Sequence, residues 1–138
     1  MMEIEFRGKR LSDGEWVYGY YLVHEPTNEH KIHFFNEKLQ TMATAIVDPK
    51  TVGQYTGKVD KGGKKIYKDD WVHAWANNGK YLVTHGLYVN SEIDLDGETP
   101  DCYGWYIHQA TDGDLYGDAL NQSEKYLEVM GNLHDNPE

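Results

Sequence analysis

Acidic side chains at short spacing are the first candidates for chemistry. Glu92, Asp94 and Asp96 stand two apart and precede Gly97, as in the opening of a calcium loop. Such a loop wants Asp first, Gly sixth and a bidentate Glu twelfth. Here Glu92 is first, Tyr103 is twelfth and Pro100 intervenes, so the run reads as an acidic hairpin tip. Asp112, Asp114 and Asp118 make a second acidic loop. A hard cation would be held only if the loops at Asp94/Asp96 and Asp112/Asp114 meet. His24, His30 and His33 could ligate a metal only by convergence, because His30 and His33 on one strand face opposite ways. His73 and His85 lie in strand-like runs, where a hydrogen-bonded sheet histidine is the ordinary reading. No HExxH pattern or Cys/His cluster occurs, so neither a metal nor a cofactor is expected. Ser12, Ser91 and Ser123 have no glycine elbow around them. Cys102, the sole cysteine, sits between Asp101 and Tyr103, an acidic setting that does not activate a thiol. Gly62-Gly63-Lys64-Lys65 is too short for a phosphate loop and lacks the following Ser or Thr. No enzymatic activity is expected from these residues.

Two further groups could bind. Lys58, Lys61, Lys64, Lys65 and Lys68 cluster around Gly62-Gly63, with Tyr55 and Tyr67 as candidates for stacking on bases. Against a nucleic-acid site stand the net charge of −10 and the lack of arginine in the segment. Asp60, Asp69 and Asp70 dilute its charge further. A solvated hairpin is the expected form, with Lys61, Lys64, Lys65 and Tyr67 kept as the nucleic-acid alternative. The second group is aromatic. Trp16, Tyr18 and Tyr20 share one face of a strand, and Trp71 and Trp75 share another. Strand aromatics are usually core, but two stripes exceed what one thin core needs. Trp16, Tyr18 and Tyr20 are therefore the candidates for an interface, where such residues are enriched.

The elements that must position these groups are mostly strands. The chain has 138 residues, 39% hydrophobic and 13% aromatic, enough for one domain or two small parts. Period-two alternation marks Glu3 to Arg7, Trp16 to Val23, Lys31 to Phe35 and Ala45 to Val47. It resumes at Ile66-Tyr67, Trp71 to Trp75, Tyr81 to Val89, Gly104 to His108 and Leu127 to Gly131. Turn residues separate the runs at Ser12-Asp13-Gly14, Pro26-Thr27-Asn28, Asn77-Asn78-Gly79, Asp96-Gly97 and Asp112-Gly113. Thr51 to Gly57, with two glycines, reads as a connector. Glu37 to Ala43 reads as a helical turn. One helix is expected at Asp118 to Tyr126, with Asp118 at its start. The fold class is mainly β, with a boundary between residues 56 and 57. No long apolar run suits a membrane helix, and Met1 to Arg10 lacks the apolar stretch of a secretory leader. A cytoplasmic location and no membrane partner are expected.

Specific runs carry a resemblance. Thr51-Val52-Gly53-Gln54-Tyr55-Thr56-Gly57 continues through Asp60, Gly63-Lys64-Lys65-Ile66-Tyr67 and Asp70. Phe6-Arg7-Gly8-Lys9 and Gly14-Glu15-Trp16-Val17-Tyr18-Gly19 precede it. Glu128-Val129-Met130-Gly131-Asn132 and Asn136-Pro137-Glu138 close the chain. Together these resemble the YopX family, small proteins encoded by phages and prophages of Gram-positive bacteria, nearly from end to end. The resemblance implies a mainly β protein, with residues 1–56 tied to self-association and residues 57–138 forming an SH3-like β-barrel. It implies no activity and no catalytic residues. The chain departs from the family at Lys68-Asp69-Asp70, where acid-Gly-Asp is usual, so that turn should be tighter or strained. Met130 replaces the usual isoleucine, a mild core change. Asp60 and Asp70 are expected to accept backbone N–H groups at turns.

The expected function is a non-enzymatic accessory protein of phage or prophage type that self-associates and binds a host or phage protein. The alternative is a nucleic-acid-binding module using Lys58 to Lys68. A metal-dependent hydrolase would rest on the acidic loops alone.

Overall fold

A computed structural model of the chain describes residues 4–74, 79–90, 102–108, 116–120 and 127–135. It is built almost wholly of strands, arranged as two sheets. The strands are β1 (Phe6–Lys9), β2 (Trp16–His24), β3 (Glu29–Asn36), β4 (Thr41–Ile46), β5 (Gly53–Val59), β6 (Lys65–Tyr67), β7 (Asp70–Ala74), β8 (Gly79–Asn90), β9 (Cys102–His108), β10 (Tyr116–Ala119) and β11 (Leu127–Asn132). The chain forms two compact units, Met1–Gly57 and Lys58–Glu138.

In the first unit the strand order is β4-β3-β2-β1-β5. Its register sorts side chains by face. Phe6, Val17, Tyr21, Ile32, Phe34, Ala45 and Val47 point one way and pack as a core. The sheet curls around that core until the ends of β4 and β1 meet. Arg10 bridges Val47, Leu11 N–H donates to Ile46 O at 3.0 Å, and Asp48 N–H donates to Lys9 O at 2.9 Å. Two glycines on the concave face let the backbone close up. A Cβ on Gly8 would touch Val47 at 3.2 Å, and one on Gly19 would lie 2.2 Å from His33 O.

The stretch Thr51–Gly57, expected as a connector, is instead the end of a one-turn 3-10 segment (Pro49–Thr51) followed by β5. Its glycines had hidden the strand period. Thr51 is buried because its hydroxyl both donates to Asp48 O at 2.7 Å and accepts from Lys9 N–H at 2.9 Å. The helical turn expected at Glu37 to Ala43 is also corrected. There Asn36 Oδ1 accepts from Leu39 N–H, Gln40 takes φ +52°, and the chain returns as β4. A left-handed residue reverses the chain where a helix would have continued it.

In the second unit the order is β10-β9-β8-β7-β11, with β10 also touching β8 in parallel. No ladder joins the outer strands β10 and β11 among the described residues, so the strands do not form a closed barrel. Ile66, Val72, Ala74, Tyr81, Val83, Ile107, Leu120 and Leu127 form its core. β7, between β8 and β11, is buried at four of its five positions. Opposed glycines at Gly86 and Gly104, with φ +151° and +143°, carry β8 and β9 through a conformation that side chains resist.

The helix expected at Asp118 to Tyr126 does not begin at Asp118. Asp118 and Ala119 pair with Ile107 and Tyr106 in β10, so sheet pairing outweighs the local capping signal, while residues 121–126 lie outside the described ones. Met130 is no core residue. A bulge between Val129 and Gly131 turns it out, and it is 61% exposed. The Lys68-Asp69-Asp70 turn is strained as expected, with Asp69 at φ +71° where glycine would sit without cost. Asp69 is then fixed on several sides: its N–H donates to Val83 O at 2.9 Å, Leu133 N–H donates to Asp69 O at 2.8 Å, and His134 Nε2 lies 3.0 Å from its carboxylate.

Candidate functional site

The aromatic residues of β2 are set by simple alternation. Val17 and Tyr21 take the core side, so Trp16, Tyr18 and Tyr20 take the other, which is the convex face of the first unit. Tyr18 is 47% exposed and Tyr20 63%, so both are solvent-facing and not core. Trp16 is half-buried. The Arg7 guanidinium stands 4.8 Å from its ring centroid and the Lys9 ammonium 5.5 Å, a cationic cover from the neighbouring strand.

Register extends this face across three strands. Tyr20 lies beside His33, Leu22 beside Lys31, and Phe35 beside Met42. His33 in turn meets Thr44, with Nδ1 and Oγ1 2.9 Å apart. Leu22, Phe35, Met42 and Ile46 are exposed here together with Tyr18 and Tyr20. At one end a depression of about 830 Å³ runs along Trp16, Tyr18, Phe35 and Lys38. Beside it Arg10 donates from Nε and a terminal nitrogen to both Asp13 oxygens, at 3.0 and 2.7 Å. Those bonds, with the N–H of Glu15, hold the Asp13 carboxyl below its ordinary range. Phe35 and Met42 were not found in the sequence. The available signal was the pair Phe34-Phe35, since adjacent strand residues point to opposite faces and a sheet wet on one side leaves one of the two outside.

The lysine segment is a hairpin organised by Asp60. Its Oδ1 accepts from Gly62 N–H and Lys64 N–H, each at 2.9 Å, and its Oδ2 accepts from Val129 N–H at 3.0 Å. Burial raises the Asp60 pKa, but these three donors and the Lys64 charge outweigh it and hold the carboxyl below its ordinary range. Lys61 and Lys64 are exposed at the tip, while Lys65 is half-buried. Tyr55 and Tyr67 are buried at 7% and 5%, so neither can stack on a base, which corrects the role considered for Tyr67. Asp70, also buried, accepts the N–H of Tyr67 at 2.8 Å, as expected of a turn aspartate.

The remaining candidates separate. Among the described residues no three His, Cys, Asp or Glu side chains converge on a point. His30 contacts the Tyr21 hydroxyl on the core side, His33 contacts Thr44 on the convex side, and His24 contacts Thr27. His85 meets the edges of Tyr103 and Trp105. Trp71 is buried, with the Lys80 ammonium 4.4 Å from its ring, so it is a core residue. Trp75, Glu92, Asp94, Asp96, Asp112 and Asp114 lie outside the described residues, as do the side chains of Cys102 and Asp118.

One family profile covers nearly the whole chain. The profile of that family, described as YopX protein, matches residues 5–138. The chain belongs to the YopX family. No curated protein matches it. The match spans both units and so covers the runs Thr51 to Gly57 and Asp60 to Asp70. Their side chains serve hydrogen bonds and turns here. No helix among the described residues is long and apolar enough to cross a membrane.

Proposed function

We propose that this YopX protein is a non-enzymatic accessory module of phage or prophage type, acting in the cytoplasm, that self-associates through its first unit and binds a host or phage protein. The observation carrying this reading is the convex face of β2, β3 and β4, where Tyr18, Tyr20, Leu22, Phe35, Met42 and Ile46 are exposed together. A monomer gains little from so many exposed apolar side chains on one face, whereas interfaces are rich in Tyr, Phe and Met. A two-fold contact between copies would use one patch twice. The absence of a nucleophile–base pattern in the sequence supports the non-enzymatic part. In this reading the second unit is a partly open SH3-like barrel, with the β10–β8 contact as its partial closure.

Sedimentation equilibrium at tens of micromolar, a usual working range, tests the assembly. The wild type is expected to run heavier than its 15.9 kDa chain mass, and Tyr18→Ser/Tyr20→Ser at that mass. A wild type found only at 15.9 kDa overturns the proposal.

The lysine hairpin is proposed as a solvated loop. Replacing Lys61, Lys64 and Lys65 by glutamate is expected to leave folding and assembly unchanged and to remove no DNA or RNA affinity. Salt-sensitive micromolar binding by the wild type that vanishes in this variant would favour the nucleic-acid reading.

A further inference from the structure

The curled sheet of the first unit has a seam that is stitched at one end only. Leu11 N–H to Ile46 O and Asp48 N–H to Lys9 O join the two sides. Beyond Ile46 the sides separate, and a pocket of about 640 Å³ opens between β4 and the Arg10–Ser12 turn. Phe34, Ala43 and Ala45 from the concave face line it, with Leu11 on the far side.

The backbone on the β4 side of this opening has unused bonding capacity. Val47 N–H donates to His30 O, which fixes the alternation along the β3–β4 ladder. Ala45, Ala43 and Thr41 therefore bond inward to β3. Ile46, Thr44 and Met42 present N–H and C=O outward, and the Leu11 bond to Ile46 O confirms that side. β4 is an outer strand of the sheet, and among the described residues no strand pairs with Met42 or Thr44. The strand Thr41–Ile46 contains no charge, proline or bulge, the devices that ordinarily blunt an edge.

We propose that this open seam receives one extended segment of another protein, paired to Met42 and Thr44, with an apolar side chain of that segment inserted between Ala43 and Leu11. Pairing at Met42 and Thr44 places the intervening residue of the added strand opposite Ala43, facing the pocket. The two alanines leave that space unfilled. A second copy fits poorly. Its β4, paired about Ala43, would bring only the methyl of another Ala43, and a register of two outward residues falls far short of the ~1,200 Å² that stable dimers bury. Charge agrees with an uncharged insert, since Arg10, the one ionisable lining residue, is already held by Asp13 at 2.7 Å. This proposal is independent of the convex aromatic face.

The test uses the full chain and two fluorescent nine-residue probes, Lys-Thr-Thr-Thr-Leu-Thr-Thr-Thr-Lys and the same peptide with a central alanine. Anisotropy should show saturable binding of the leucine probe and about tenfold or weaker binding of the alanine probe. Amide exchange at Met42 and Thr44 should slow when the leucine probe binds. Thr44→Pro removes an outward N–H that β3 does not use, and Ala43→Leu fills the pocket from within. Both are expected to lose the probe by tenfold or more, judged on whichever variants keep the wild-type far-UV spectrum. No saturable binding up to millimolar probe, equal binding of both probes, or undiminished binding by a folded variant would each overturn the proposal.

Discussion

Alanine at Gly19 is expected to cost about 3 kcal/mol or more of stability, the upper range for forcing atoms into a packed interior. The added Cβ would lie 2.2 Å from the carbonyl oxygen of His33 and 3.2 Å from the Cα of Phe34. Those are backbone atoms of the adjoining strand, so no rotamer change relieves the overlap. The β2–β3 ladder would have to separate where Tyr20 pairs with His33, just where the sheet bends over Val17 and Ile32. Urea unfolding followed by tryptophan fluorescence measures the loss. A change below about 1 kcal/mol would show that β3 yields more easily than a packed sheet should. Gly14, whose Cβ would meet nothing within 4 Å, tests a different property in the same assay, since only its φ of +73° resists a side chain.

Asp60→Ala is expected to have a comparable effect, about 3 kcal/mol, because one carboxylate serves three backbone donors. Each N–H left without an acceptor in a buried position costs about 1–3 kcal/mol, reduced here by the hairpin's access to water. The bond to Val129 joins the hairpin to β11 across 69 positions of sequence, so its loss should loosen both. Asp60→Asn keeps one acceptor oxygen and should fall between wild type and Asp60→Ala. The pH dependence follows from the lowered carboxyl pKa of Asp60 in the folded state. A depressed pKa means the stabilisation is complete above the unfolded value of about 3.9 and is lost as pH falls through the lower folded value. Stability measured from pH 6 down to 2 should therefore fall more steeply in the wild type than in Asp60→Ala. Parallel curves would show that the carboxylate's charge contributes nothing.

Strand alternation made much of this architecture legible. Trp16 to Val23 and Tyr81 to Val89 alternate clearly, and both are strands. β5 was hidden because Gly53 and Gly57 carry no side chain to mark a period, although Gly53 is buried as fully as its apolar neighbour Tyr55. β4 was partly hidden because Thr, Ala and Met score neither as core nor as surface. Alternation also told that Trp16, Tyr18 and Tyr20 share a face, but not which face is wet. The opposite face of β2 holds Val17 and Tyr21, which are as apolar as the residues they back. Closure settles the question: β4 folds back toward β1, and the concave side becomes the core. No local pattern encodes that closure, since Arg10 and Val47 are far apart in sequence. The turn aspartates were legible for the converse reason, because Asp70 and one oxygen of Asp60 accept from residues within a few positions of themselves, while the Asp60 bond to Val129 left no such local mark.

The half-stitched seam also sets an order of events when the chain folds. β1, β2, β3 and β4 are joined in series by antiparallel hairpins, whose partners are close in sequence and meet quickly. The stitches Leu11 to Ile46 and Lys9 to Asp48 join opposite ends of that series and must wait until the intervening loop has been shortened by the hairpins. Closure of the first unit is thus a late event. Bonds formed late act mainly on the rate of unfolding, so the few hydrogen bonds at the stitched end hold the curl shut over time and add little to the speed with which it forms.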